Sequence, residues 1–206
     1  MNAGGEGPGS KLRVENCGVR VATLISQFVT ASNSSLTELC LQDTQIVSKE
    51  CSVLANDHRL ANLRTLDLSC NPDIGLGGLK SLVNPRSSKL ANLEVLELYY
   101  CGIKGQVAGV TNKLQLTKLT SLNLSHNPLG SQLAGAILRE EFGLVSPSLE
   151  TLSLVNCDLQ AEFEPLISNF KFMPNIYELD ISENTVAFIE SMGDVLREAT
   201  LQLNNL

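Results

Sequence analysis

The 206-residue chain has no apolar run approaching the length of a bilayer-spanning helix, and Met1 to Ser10 are glycine-rich with no signal-peptide apolar segment. These absences predict a soluble, intracellular and by default cytoplasmic protein that makes no use of a membrane, or a polypeptide stripped of its targeting sequence. The sequons Asn33-Ser34-Ser35 and Asn123-Leu124-Ser125 then carry no expectation of glycosylation. No CxxC pair and no His–Cys spacing supports zinc among the six cysteines, and neither His58 nor His126 comes with a nucleophile spacing. The Gly75-Leu76-Gly77-Gly78-Leu79-Lys80-Ser81 stretch fails as a phosphate loop because Leu79 separates glycine from lysine; it reads instead as a glycine-softened turn entering a helix. The expectation is a protein without catalytic residues, metal or cofactor. Tryptophan is absent and only three tyrosines occur, so where those three fall carries weight.

What is present is a recurring apolar skeleton, LxxLxLxxNxL, beginning near residues 9, 36, 63, 93, 119, 149, 176 and 203. The intervals of 27, 27, 30, 26, 30, 27 and 27 residues suit one strand and one helix per repeat. Well-formed copies are Leu63, Leu66, Leu68, Asn71, Ile74; Leu119, Leu122, Leu124, Asn127, Leu129; and Ile176, Leu179, Ile181, Asn184, Val186. Others change the ninth position: Cys101 and Cys157 stand there in the copies starting at Leu93 and Leu149, Thr44 in the copy starting at Leu36, and Cys17 in a first copy opened by Gly9. Apolar fourth and sixth positions between polar third, fifth and seventh ones predict a half-buried strand. Looser spacing follows, as in Leu133, Ile137, Leu138 and in Phe163, Leu166, Ile167, Phe170, and predicts a short amphipathic helix. Parallel strands result, and stacked neighbours must build the core because no single repeat covers its own apolar face.

From Gly9 onward the chain resembles a leucine-rich-repeat protein, and the alternation of Asn71, Cys101, Asn127, Cys157 and Asn184 at the ninth position resembles the ribonuclease-inhibitor-like subclass. The resemblance implies an α/β solenoid: a curved parallel sheet on the concave side, helices on the convex side, about seven repeats plus a truncated eighth. It also implies that the ninth residues hydrogen-bond neighbouring loops in a buried structural ladder. Residues 1–8 read as a flexible lead and 9–206 as one repeat domain; Leu203-Asn204-Asn205-Leu206, the opening of a copy that stops partway, suggests part of a longer array.

Cys17, Cys101 and Cys157 are expected to pack as small apolar thiols, with Cys51 buried in a helical segment. Cys40 and Cys70, in adjacent repeats, leave a disulfide or metal ligation open beside plain packing.

Positions two, three, five, seven, eight and ten of seven copies, 42 in all, are expected to line the concave face and its rim. They hold eleven acids (Glu15, Glu38, Asp43, Asp67, Glu94, Glu97, Glu150, Asp158, Glu178, Asp180, Glu183) against Lys11, Arg13 and Arg64, a net charge of −8 where the whole chain is −7. A surface of one sign attracts the other, so a basic protein surface or peptide is the expected partner and nucleic acid is disfavoured. All three tyrosines fall in the same set: Tyr99 at seven, Tyr100 at eight, Tyr177 at two. The expected partner-binding residues are Tyr99, Tyr100, Tyr177, Glu97, Asp67, Asp180, Glu178, Val155 and His126, with Tyr99 and Tyr100 forming an apolar island between Glu97 and His126. Protein–protein recognition on a rigid scaffold follows. The alternatives are a GTPase-activating regulator, which needs a catalytic arginine from Arg59 or Arg64, and a structural subunit that uses its convex face.

Overall fold

Among the described residues the period-two segments form seven short strands: β1 (Ser10–Arg13), β2 (Leu36–Cys40), β3 (Thr65–Asp67), β4 (Val95–Glu97), β5 (Ser121–Asn123), β6 (Thr151–Ser153) and β7 (Glu178–Asp180). The computed structural model describes residues 10–16, 18, 36–84, 88–106, 116–139, 142, 144–160, 173–187 and 190. The lead, Cys17, the first sequon, the 163–170 segment and Leu203–Leu206 lie outside them. Strand order in the one sheet follows chain order and every pairing is parallel. Equivalent residues pair: the fourth-position leucines Leu39, Leu66, Leu96, Leu122, Leu152 and Leu179 form one row, and the fifth-position residues Cys40, Asp67, Glu97, Asn123, Ser153 and Asp180 another. Only β1 slips, between Ser10 and Lys11, in the copy whose opening point is Gly9.

Helices α1 (Ser48–Asn56), α2 (Gly75–Leu82) and α3 (Gly130–Ile137) return the chain. The Glu50 carboxylate caps the start of α1 by accepting from the Val47 N–H at 3.2 Å, and Cys51, Leu54 and Ala55 face inward. The glycines of Gly75–Ser81 are not a turn before the helix, because α2 begins at Gly75 itself. Gly75 alone has the left-handed φ of +57°. Gly78 is helical and buried, and a Cβ there would lie 3.0 Å from the Cys51 sulfur and closer still to Ile74, so its missing side chain lets α2 approach α1. Leu133, Ile137 and Leu138 are buried as their spacing predicts. One continuous core contains the fourth- and sixth-position leucines of copies two to six. In the seventh copy Val186, expected inside, is 71% exposed, since no described repeat stacks on it.

The ninth positions form a two-way network. Asn127 Oδ1 accepts the N–H groups of Cys101 (2.9 Å) and Ile103 (3.0 Å) in the preceding copy, while Nδ2 donates to the carbonyls of Leu98 and Leu124, both at 2.8 Å. Asn71 serves Thr44 and Ile46 in the same way, and Asn184 serves Cys157 and Leu159. The cysteines answer in the other direction. Cys101 donates its thiol to the Leu68 carbonyl (3.2 Å) and accepts the Asn71 N–H; Cys157 donates to Leu124 (3.3 Å) and accepts the Asn127 N–H. One asparagine therefore satisfies two copies, and a thiol suffices in the copy between.

Candidate interaction face

Two rows of side chains rise from the sheet's concave side. The third-position row runs Lys11, Glu38, Thr65, Val95, Ser121, Thr151, Glu178, and the fifth-position row starts at Arg13 beside Cys40. All three bases of the 42 positions are matched by acids of the same face: Lys11 to Glu38 at 2.7 Å, Arg13 to Glu15 at 3.1 Å, and Arg64 to Glu94 at 2.7 Å. These pairs occupy the first four copies. Of the eight remaining acids, Asp67 and Glu97 stand on β3 and β4 and Glu178, Asp180 and Glu183 on and after β7, with the uncharged Asn123 and Ser153 between them in the fifth row; Asp43, Glu150 and Asp158 lie at the rim positions eight, two and ten of their copies. Hydroxyls fill that middle band, where Ser125 meets Ser153 at 2.6 Å and Thr151 donates to Ser121 at 2.8 Å.

Several of these carboxylates also fix backbone. Asp67 Oδ1 accepts the Ser69 N–H at 2.9 Å and Asp180 Oδ1 the Ser182 N–H at 3.0 Å; Asn123 does the same for Ser125 at 2.9 Å without a charge. The fifth position thus holds the turn that leaves the strand. Burial first, and then the Asp67 carboxylate beside it, raises the Glu97 carboxyl above its ordinary range despite a hydrogen bond from Asn123.

After each strand the eighth residue adopts a left-handed conformation: Asn16, Asp43, Cys70, Tyr100, His126, Asn156 and Glu183 all have φ between 50° and 61°. Asparagine and aspartate tolerate this region; for a tyrosine it costs about 1 kcal/mol. Tyr100 nevertheless stands there with 53% of its surface exposed. Beside it, half-buried Tyr99 packs on His126 with ring centroids 4.7 Å apart and sits 6.5 Å from the Tyr100 ring. Asn156 Nδ2 meets His126 Nδ1 at 3.2 Å, a contact that residue identity did not announce. Val155, half-buried in the next copy, donates its N–H to Ser125 Oγ at 3.1 Å.

The structure does not gather all the expected residues. Tyr177 is 51% exposed at the second position of the seventh copy, at the opposite rim and three strands from Tyr99 and Tyr100. From strand spacing and rise the separation is roughly 20–25 Å. Cys40 and Cys70 are free thiols with different neighbours: Cys40 faces Asp67 (3.4 Å) and Glu15 (3.6 Å), and Cys70 faces Gln42 (3.9 Å). Burial, then the charge of Asp67, pushes the Cys40 thiol up to about 11, so it serves as a donor. The arginines of the GTPase-regulator alternative are both engaged, Arg64 with Glu94 and Arg59 in a two-pronged pair with Asp57. The Arg59 guanidinium holds the Asp57 carboxyl below its usual range. Among the described residues, no helix is long and apolar enough to cross a membrane.

Seven parallel strands, one per repeat, with inward leucines and an amide ladder define a leucine-rich-repeat module, a class that generally mediates protein–protein interaction rather than catalysis. The family model for the leucine-rich repeat matches residues 59–83 and 115–132, and ribonuclease inhibitor from Sus scrofa is 31% identical over 178 residues. The chain belongs to the leucine-rich-repeat family, and its repeats are of the ribonuclease-inhibitor-like type. That alignment covers 84% of the chain but 38% of the inhibitor, so the chain spans well under half of the relative it matches.

Proposed function

We propose that the chain is a recognition module that binds a basic protein partner inside the cell through its acidic, tyrosine-bearing concave face. The carrying observation is Tyr100. A large ring left 53% exposed stands at an eighth position whose left-handed φ, +51° here, the other copies share, and an exposed tyrosine offers the amphipathic contact area that interface hot spots favour. Its neighbours fit the reading. Tyr99 is braced by His126, and Asp67 and Glu97 face the same side of the sheet. The relative is named as an inhibitor of ribonuclease, a protein target, which supports a protein partner of unspecified identity here.

The test is affinity capture with quantitative mass spectrometry, comparing the wild-type chain with Tyr99→Ala/Tyr100→Ala and with Asp67→Asn/Glu97→Gln/Asp180→Asn. Asparagine keeps the turn bond at the fifth position, as Asn123 shows, so the second variant removes charge and not structure. Basic proteins enriched on the wild type should fall away on both variants, the tyrosine pair costing more than about 1 kcal/mol. Equal recovery on all three would overturn the concave-face reading and direct attention to the convex helices.

A further inference from the structure

Tyr99, in the turn after β4, and Glu97, at the end of that strand, do more than share a copy. Glu97 receives a hydrogen bond from Asn123, and Tyr99 lies against His126, so both side chains lean over the fifth copy. His126 is itself steadied by Asn156 in the sixth. Three copies therefore hold one aromatic and carboxylate arrangement in place, and little side-chain freedom remains to be lost on binding. Next to Tyr99 stands the exposed Tyr100 ring, 6.5 Å away. On the neighbouring strand Asp67 pairs in register with Glu97, about 4.8 Å away, and adds a second negative charge.

Resting on the proposed basic-partner reading, we infer that this shelf reads arginine: a guanidinium of the partner lies over the Tyr100 ring and forks onto the Glu97 carboxylate. Two features of the cation decide this. A guanidinium is planar and weakly hydrated, so it can stack on an aromatic face while its edge donates two parallel hydrogen bonds to a carboxylate. An ammonium is a compact, strongly hydrated point charge and can satisfy the carboxylate without using the ring. A charged face alone would accept either. The aromatic pair two and three residues after Glu97 is what separates them.

The experiment uses the whole chain, isotope-labelled for NMR, titrated separately with N-acetyl-arginine amide and N-acetyl-lysine amide at matched ionic strength. The arginine probe should shift the Tyr99, Tyr100 and Glu97 side-chain resonances saturably and bind at least about five-fold more tightly than the lysine probe. Tyr100→Leu should reduce arginine to the lysine level, and Glu97→Gln should weaken arginine by a similar factor. Equal affinities that both fall with Glu97→Gln would overturn the arginine inference and leave the basic-partner reading standing. Shifts confined to the β7 carboxylates, or none at these residues, would overturn it too; the broader reading stands or falls on the capture experiment.

Discussion

Replacing Asn127 with alanine deletes one side chain and strands three buried backbone groups. The N–H groups of Cys101 and Ile103 lose the shared Oδ1, and the Leu98 carbonyl loses Nδ2. The Leu124 carbonyl is spared, because the Cys157 thiol still donates to it at 3.3 Å. Leaving a buried peptide group unsatisfied costs about 1–3 kcal/mol, so the three together come to roughly 4–6 kcal/mol if water entering the vacated space relieves part of the loss. Cys101→Ala is the internal comparison. It removes the thiol's weak bond to Leu68, but that carbonyl keeps its 2.8 Å bond from Asn71 Nδ2, and only the Asn71 N–H loses its partner. About 1–3 kcal/mol is expected for the cysteine.

Urea unfolding followed by circular dichroism compares the two variants, and amide hydrogen exchange locates the damage. In a stacked repeat array, destabilisation should concentrate in the fourth and fifth copies and spread by nearest-neighbour coupling. Protection of Cys101 and Ile103 should drop most in Asn127→Ala. A Cys101→Ala penalty equal to or above that of Asn127→Ala would refute the view that asparagine carries two copies and cysteine completes the bond set.

Stability should decline at alkaline pH. Burial pushes the thiols of Cys51, Cys101 and Cys157 up to about 12 from an ordinary 9.0, so the native state keeps three protons that the unfolded chain releases. Their contribution is intact below pH 9 and is lost as pH rises toward 12; by pH 10 the fall is about 4 kcal/mol, measurable by urea titration at pH 8 and pH 10 and reduced in a Cys51→Ala background. Gly102→Ala should cost more than about 2 kcal/mol, because Gly102 has φ +63° and a Cβ there would collide with the Pro72 carbonyl; thermal unfolding would show it, and a neutral result would mean the backbone relaxes freely. Asp67→Asn should change stability by less than about 0.5 kcal/mol whereas Asp67→Ala costs about 1 kcal/mol, since only the former retains the bond to the Ser69 N–H; denaturant midpoints decide between them.

Legibility of this chain divides by position within the repeat. The fourth, sixth and ninth positions were readable because burial admits few residue types there, and the leucine rows and the asparagines fall where the period puts them. The fifth position was readable only as charge: that Asp67 and Asp180 also hold the following turn emerges from geometry, although the uncharged Asn123 in the same column was the available sign. Gly78 misled for a related reason. Three glycines in a row of four suggest a turn, whereas the tight approach of α2 to Cys51 demands a residue without a Cβ inside a helix.

The eighth position was invisible, since Asp43, Cys70, Tyr100, His126 and Glu183 share no side-chain property that announces a left-handed backbone. That blindness gives the position its value. The ladder requires every copy to leave its strand in the same way, so the conformation is imposed by stacking and the residue type is left free. Asn16 and Asn156 are what the backbone alone would choose, and a half-exposed Tyr100 is not. The demands of the fold therefore account for the φ angle and not for the ring that endures it, and the ring belongs to the copy that carries Glu97, itself in register with Asp67, which is the arrangement the inferred arginine contact draws on.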